Sequence, residues 1–261
     1  MVNDNVYQHF RKNEVSFIDQ VDEWIATANE QYRPYLTDYL DPRQQYIVHS
    51  LLGTHNDIKY HSFGGYANAE RQRILLAPDY LNPTADDYEI QVITVNYPSK
   101  FADLTHSQIM GTLFNMGLQT QVFGDIIGDG LTWQFFTEKS IATYVIDQID
   151  HMGRIKVHLE PTDLSQVIIP NNDWQDESDL SSSMRLDAII TTVYHISRQR
   201  AKLLIDNQKV KLNWQVCDKP DTEITISDVI SVRGFGRIQL NNIEGQTRKD
   251  KYRLALRVLR K

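Results

Sequence analysis

The chain has 261 residues, is 41% hydrophobic and carries a formal net charge of −7, so it can build two or three compact units and is not a disordered acidic polypeptide. Its one cysteine, Cys217, excludes an intrachain disulfide and fits a reducing compartment. No stretch approaches the ~18 apolar residues of a membrane span. The opening MVNDNVYQHFRKNE has no continuous apolar region, so no secretory signal is expected. The expectation is a soluble, cytoplasmic protein that does not meet a membrane.

The charge is uneven. Residues 181–261 hold 16 Lys/Arg and 8 Asp/Glu, a net of +8, whereas residues 1–180 hold 11 and 26, a net of −15. A basic module joined to an acidic body points to a polyanionic partner at the basic end.

Residues 1–82 are predicted to be a mainly helical region. Phe17, Val21, Trp24, Ile25 and Ala28 recur at helical spacing, and Ser16 with Asp19 resembles a capping box. A second helix is expected from Pro42, with Asp41 as its N-cap and Gly53 as its stop. Strand-like runs follow at 58–63 and 73–77. The FGGYANAE between them carries a Gly-Gly pair suited to a tight turn. Residues 83–163 then read as a strand (YEIQVITV), a helix capped by Thr105, two strands around an Asp129-Gly130 hairpin signal, a helix with Ile141, Val145, Ile149 and Met152 in one stripe, and a last strand (RIKVHLE). The order βαββαβ is the ferredoxin-like arrangement that RNA-recognition-motif domains also use. Its third strand, LTWQFFT, has aromatics but no basic partner, so this sheet is not expected to bind RNA in the usual way. Residues 164–182 read as a polar linker, and 183–261 as the last domain. The fold class is therefore α+β.

In that last domain Leu186, Ile189, Ile190 and Val193 form one buried helical face. Ser197 is placed to cap a second helix. Ala201, Leu204 and Ile205 would be its buried side, while Arg198 and Lys202, four apart, share an exposed face and Arg200 points elsewhere. Val210, Leu212 and Trp214 then alternate with Lys209, Lys211 and Asn213 as a strand does. Cations near a helix N-terminus suit phosphate. RGFGRIQL reads as a Gly-rich turn with Arg233 and Arg237 near phosphate and Phe235 packed. In the tail, Tyr252, Leu254, Leu256 and Val258 alternate with Arg253, Ala255 and Arg257. That predicts a strand over 251–259 that closes the sheet and holds Arg253 and Arg257 outward.

RLD…SRxxAxxLI…VxxN, from Met184 to about Leu240, resembles the small αL-type RNA-binding domain first seen in ribosomal small-subunit protein S-four. The resemblance implies RNA binding through the two helices and the next strand, by Arg185, Ser197, Arg198, Arg200, Lys202, Lys209, Lys211 and Asn213. FGGYANAERQR, KFADLTHSQIMG and FGDIIG resemble the body of the bacterial YlmH family. Membership would imply a ribosome-associated protein that binds ribosomal RNA and tRNA and rescues stalled large ribosomal subunits, with a link to cell division. It would act as a monomer without a cofactor.

Enzyme readings are weaker. Arg185-Leu186-Asp187 is a catalytic tripeptide in some pseudouridine synthases, but there it lies in a large domain that follows the RNA-binding one. Here Asp187 is expected to orient a neighbouring basic side chain or backbone group. Polar Asn68-Ala69-Glu70-Arg71 could be a site, or Glu70 and Arg71 could form a local salt bridge. His49, His55 and His61 match no metal motif, and no metal site is expected. GDIIGDG lacks the Gly-Lys-Ser/Thr ending of a phosphate loop. An RNA-modifying enzyme and a cell-division adaptor remain as alternative functions.

Overall fold

The computed structural model describes residues 10–53, 58–170 and 174–261, and the chain divides into two units, Met1–Asn171 and Asn172–Lys261. The first begins with helix α1 (Val15–Glu30), which buries Ile18, Val21, Trp24, Ile25 and Ala28, the stripe that helical periodicity demands. Ser16 does not cap it. A 3-10 turn over Lys12–Glu14 leads into the helix, and Ser16 is exposed within it. Helix α2 (Pro42–Leu52) starts where expected: the Asp41 carboxylate accepts from the Gln44 N–H, and the Gln44 side chain accepts from the Asp41 N–H.

Between these helices lies an unpredicted strand, β1 (Tyr35–Leu40). A register shift between Leu36 and Tyr39 breaks the two-residue period that would have marked it. With β2 (Ile58–Phe63) and β3 (Gln72–Pro78) it forms an antiparallel sheet in the order β1-β3-β2. The region expected to be mainly helical is therefore two helices on a sheet, sharing a core of Val21, Ile25, Ile47, Leu51, Ile74 and Leu76.

The βαββαβ order follows: β4 (Ile90–Asn96), α3 (His106–Phe114), β5 (Phe123–Gly128), β6 (Trp133–Glu138), α4 (Lys139–Gln148) and, after a short ladder of β7 (His151–Met152) and β8 (Ile155–Lys156), β9 (His158–Thr162). The sheet order β5-β6-β4-β9, antiparallel throughout, is the ferredoxin-like one. Thr105 caps α3 as read. Helix α4 stops at Gln148, so Ile149 and Met152 are buried by the segment after the helix. Both helices cover one face of the sheet through Ile93, Ile109, Phe135 and Val145. The other face, with Val92 and Phe136, meets Tyr39, Leu75 and Ala77 of the first sheet. The unit is thus four layers, helices–sheet–sheet–helices, and the two regions expected to be separate share a core.

In the second unit, β10 (Gln175–Ser181), α5 (Leu186–Tyr194), α6 (Arg198–Asp206), β11 (Val210–Leu212), β12 (Gln215–Val216), β13 (Val229–Val232), β14 (Gly236–Gln246) and β15 (Tyr252–Arg260) form a two-helix, one-sheet domain. The sheet order is β10-β15-β14-β13-β11-β12. Leu186, Ile189, Ile190, Val193, Ala201 and Ile205 of the helices pack on Ile238, Leu240, Leu254, Leu256 and Val258.

Two expectations about this domain need correction. The stretch 175–181, expected within the linker, is a strand whose seven residues all pair with β15. It reads as polar because it is an edge strand, where acidic side chains discourage further pairing. The charge of the domain shifts with it: residues 174–261 hold 16 Lys/Arg against 11 Asp/Glu, a net of +5. The tail strand exists, with Leu254, Leu256 and Val258 buried, but β10 lies outside it, so β15 is interior and does not close the sheet. Arg260 fastens this edge. Its guanidinium donates to both carboxylate oxygens of Glu177 and to the Val193 carbonyl at the end of α5. The RGFGR turn needs its second glycine: Gly236 has φ +134, and a Cβ there would lie 1.9 Å from the Leu259 carbonyl oxygen.

A fragment spanning 174–261 should therefore fold more stably than one spanning 182–261. Seven cross-strand pairs at a few tenths of a kcal/mol each make the difference about 2–4 kcal/mol. Urea melts of the two fragments measure it; equal midpoints would mean that β10 is dispensable.

Candidate RNA-binding surface

The second unit is organised around Asp187. It lies in the first turn of α5 and is fully buried. Arg185, the N-cap of α5, donates Nε to Oδ1 at 3.1 Å and Nη2 to Oδ2 at 3.2 Å. Arg198, the first residue of α6, donates Nε to Oδ2 at 3.0 Å and Nη2 to Oδ1 at 3.1 Å. Two planar forks thus grip one carboxylate, the geometry for which guanidinium is suited. Burial raises the cost of the charge, yet hydrogen bonds from Arg198 and Arg185 outweigh it and hold the carboxyl below its ordinary range. The expected structural role of Asp187 is what the geometry has. Two cations on one anion leave a net positive charge, carried on side chains 40% and 48% exposed.

This changes the reading of several residues. Arg198 was expected to share a purely exposed face with Lys202. Lys202 is exposed, but Arg198 also holds the two helices together. Ser197 spends its hydroxyl on the Arg200 N–H at 3.2 Å, capping α6 as read. Asn213 is not on the strand. It and Trp214 form the turn between β11 and β12, with φ 47 and 65, the left-handed pair that a two-residue hairpin requires. The Asn213 side chain donates to Asp228 and accepts from the Val229 N–H, so it is a turn strut and not an outward ligand. Trp214 accordingly leaves the core row with Val210 and Leu212. Phe235 packs against Tyr194 at 5.2 Å, with Arg200 5.4 Å above its ring.

The expected cations divide between two faces. Arg185, Arg198, Arg200 and Lys202 belong to the helices. Lys209 and Lys211 flank buried Val210, and Arg237, Arg253 and Arg257 alternate with buried residues of β14 and β15, so these five point away from the helices. Arg233 is exposed in the β13–β14 turn. Two tryptophans were missed. Trp174 lies beside Arg237 and Arg257 at 5.4 and 5.5 Å, and Trp214 lies 5.4 Å from Arg237. The signal for Trp174 was a lone large aromatic in an otherwise polar stretch.

Residues 13–81 match the family model described as "YlmH, N-terminal", residues 83–166 the one described as "Putative RNA-binding domain in YlmH", and residues 184–230 the S4 domain. The chain belongs to the YlmH family. A relative from Bacillus subtilis (strain 168), named ribosome-associated protein quality control protein P2, is 42% identical over 251 residues, 96% of this chain and 97% of the relative. A solved structure, cell division protein ylmH from Streptococcus pneumoniae, is 34% identical with a TM-score of 0.54, covering 62% of this chain and 99% of that one.

Two of the three YlmH motifs, FGGYANAERQR and FGDIIG, converge on the seam between the sheets of the first unit, whereas KFADLTHSQIMG packs through Leu104 and Ile109 on the helix side. Asp125 of FGDIIG accepts from the Tyr66 hydroxyl at 2.8 Å and from the backbone N–H groups of Glu70 and Arg71 at 2.7 and 3.0 Å. Tyr66 stacks on Phe136 at 5.3 Å. Gly65, at φ +99, lies where a Cβ would meet the Phe136 ring at 2.4 Å. Buried Arg73 donates to the carbonyls of Thr37, Tyr88 and Glu89 and pairs with Glu138 at 3.3 Å. Asn68–Arg71 is therefore a docking turn whose backbone is consumed by Asp125. This seam also covers the sheet face on which recognition-motif domains stack bases: Val92 and Phe136 are fully buried. Among the described residues no three His, Cys, Asp or Glu side chains form a metal-binding group; His55 lies outside the described residues. No described helix is long and apolar enough to cross a membrane.

Asp187→Ala should cost the second unit about 2–3 kcal/mol, less than a fully buried pair because the two guanidiniums reach solvent. Arg198→Glu should cost more, since it sets a second carboxylate against the buried one. Thermal melts measure both; an unperturbed Arg198→Glu melt would refute the clamp.

Asp187 in the second unit and the Asp125 and Glu138 carboxyls in the first should respond to acid in opposite directions. Asp187 has a lowered folded pKa, so its contribution is present above about pH 4 and lost as pH falls further. Burial and the charge of Glu70 push Asp125 up to about 6, and burial pushes Glu138 up to about 6. Their contribution is present below about pH 4 and lost as pH rises through 6. Hydrogen exchange should therefore show the first unit more protected at pH 5 than at pH 7. Asp125→Asn should leave only the share of Glu138; an unchanged pH response in that variant would exclude Asp125 as its source.

Proposed function

We propose that this YlmH-family chain is a non-enzymatic RNA-binding protein that acts on ribosomal RNA and tRNA at the large ribosomal subunit, in rescue of stalled translation. It would work as a cytoplasmic monomer without a cofactor. The observation that carries this reading is the Asp187 clamp inside the S4 match. The clamp costs one buried carboxylate and holds two half-exposed guanidiniums on the helices that also carry exposed Lys202. Their Nε–Nη2 forks are spent on Asp187, but a guanidinium so fixed still carries Nη1 donors and loses less freedom on contact with phosphate than a mobile lysine. The name of the Bacillus subtilis relative supports a ribosomal setting. That of the Streptococcus pneumoniae structure supports a second, cell-division role.

A modifying enzyme with Asp187 as nucleophile fits less well. Its carboxylate is buried and holds four N–H donors, and a nucleophile needs an accessible, unencumbered oxygen.

Crosslinking with sequencing of the bound RNA should return ribosomal RNA and tRNA. Lys202→Glu, at an exposed position on α6, should lower RNA affinity and leave the melt unchanged. It should also make the plot of log affinity against log salt shallower by roughly one unit, the contribution of one phosphate contact. Equal affinity and salt slope for the variant and the parent chain would remove the helix face from the RNA surface. Recovery of protein partners that survive loss of the second unit, with no RNA, would favour an adaptor in cell division.

A further inference from the structure

We propose that the outer face of the second unit's sheet, opposite the two helices, is a stacking site for unpaired RNA bases, built from Trp174, Trp214, Arg237 and Arg257. This rests on the RNA-binding reading above and assigns a distinct chemistry to a second face. The helix face offers charge for phosphates, and its aromatics, Tyr194 and Phe235, pack on each other. The outer sheet face offers indoles.

Three observations carry the assignment. First, the domain core is complete without these tryptophans: neither Trp174 nor Trp214 belongs to it, although indole gains much from burial. Second, Trp214 is held at φ 65 in a turn position that favours Asn or Gly. A bulky residue there is an outlier, and outliers of this kind persist where the side chain's position matters. Third, guanidinium groups lie over the rings. Arg237 lies 5.4 Å from both indoles, and Arg257 lies 5.5 Å from Trp174. The strand register adds exposed Lys211, which pairs with Ser231, which in turn pairs with Arg237. Flat π surfaces flanked by guanidinium and ammonium groups are the means by which proteins hold single strands, with bases on the rings and phosphates on the cations. A duplex keeps its bases stacked inside and cannot use them. Arg257 has a nearby carboxylate, Asp176, at 3.9 Å, but that side chain is 90% exposed, and a phosphate can displace so weak a pair.

The test uses the full chain, a fluorescently labelled oligoadenylate of roughly eight nucleotides and a labelled blunt RNA duplex. Trp214→Gly relieves the left-handed strain, so it should melt no lower than the parent chain. Its affinity for the oligoadenylate should fall about ten- to hundredfold, with duplex affinity unchanged, and Trp174→Ala should act in the same direction. Lys202→Glu should reduce duplex binding instead. An abasic ribose-phosphate oligomer of equal length should bind the parent and Trp214→Gly alike. Undiminished oligoadenylate affinity in both tryptophan variants would overturn the proposal. So would a markedly lower melt for Trp214→Gly, which would make the indole a structural strut. Duplex binding without oligoadenylate binding in the parent chain would sink this inference and spare the RNA-binding reading; binding of neither probe would sink both.

Discussion

A buried carboxylate shared by two arginines governs the second unit. Asp187 is placed by the start of α5, and Arg198 by the start of α6, so their contact fixes how the helices meet. Arg185 closes the other side. Measured against a well-packed apolar replacement, an ion set of this kind contributes little net stability, because desolvation offsets much of the attraction, although removing one partner alone is costly. Its value is positional. Long side chains that would otherwise sample many rotamers are held against one carboxylate where the two helices begin. The loop before β13 is drawn in too, since the carbonyls of Pro220 and Thr222 accept from the first N–H groups of α5. The free N-terminal amides that might have taken a phosphate are thereby occupied by protein.

The first unit solves a different problem. Each of its two sheets has helices on one face only, and each would expose an apolar face alone. Stacking them removes both faces from water, at the cost of burying the polar groups on the seam. Asp125 satisfies two backbone N–H groups and a tyrosine hydroxyl, and Arg73 satisfies three carbonyls and a carboxylate. The consequence is functional. A βαββαβ domain that might have displayed an open sheet has spent that face on folding. Any RNA contact of this unit must come from its loops, edges or helices.

Much of this was legible in the amino-acid pattern, and the failures have physical causes. The βαββαβ order was readable because its strands and helices keep their periods and its first helix has a side-chain cap, Thr105. β1 was invisible because its bulge interrupts alternation within six residues. β10 was invisible because an edge strand rich in Asp, Glu and Ser is selected against looking like a strand. The cationic residues of the second unit could be named from the sequence, but their division between two faces could not, because it depends on strand register. Asn213 and Trp214 were misread as strand because Lys-Leu-Asn-Trp alternates as well as any strand; only the φ values show the turn. Arg198 looked exposed because helical spacing reports the face of a residue and not the partner it reaches on the next helix.

The unequal charge along the chain gains meaning once the units are drawn. The strand that carries Asp176, Glu177 and Asp179 belongs to the basic unit, whose net charge is +5 over residues 174–261. Glu177 is consumed by Arg260, so part of this acidity is spent on holding the edge and part remains beside Arg257. The acidic first unit, with 11 Lys/Arg against 22 Asp/Glu over residues 1–171 and so a net charge of −11, repels a polyanion. At physiological ionic strength such repulsion fades over about 8 Å, so it does not prevent contact at the basic unit. It does penalise loose, unspecific coating of the whole protein by RNA. On the reading proposed above, such a chain would hold RNA where its side chains are fixed, at the Asp187 clamp on one face and the tryptophan–arginine cluster on the other, with charge adding to contacts that geometry has already placed.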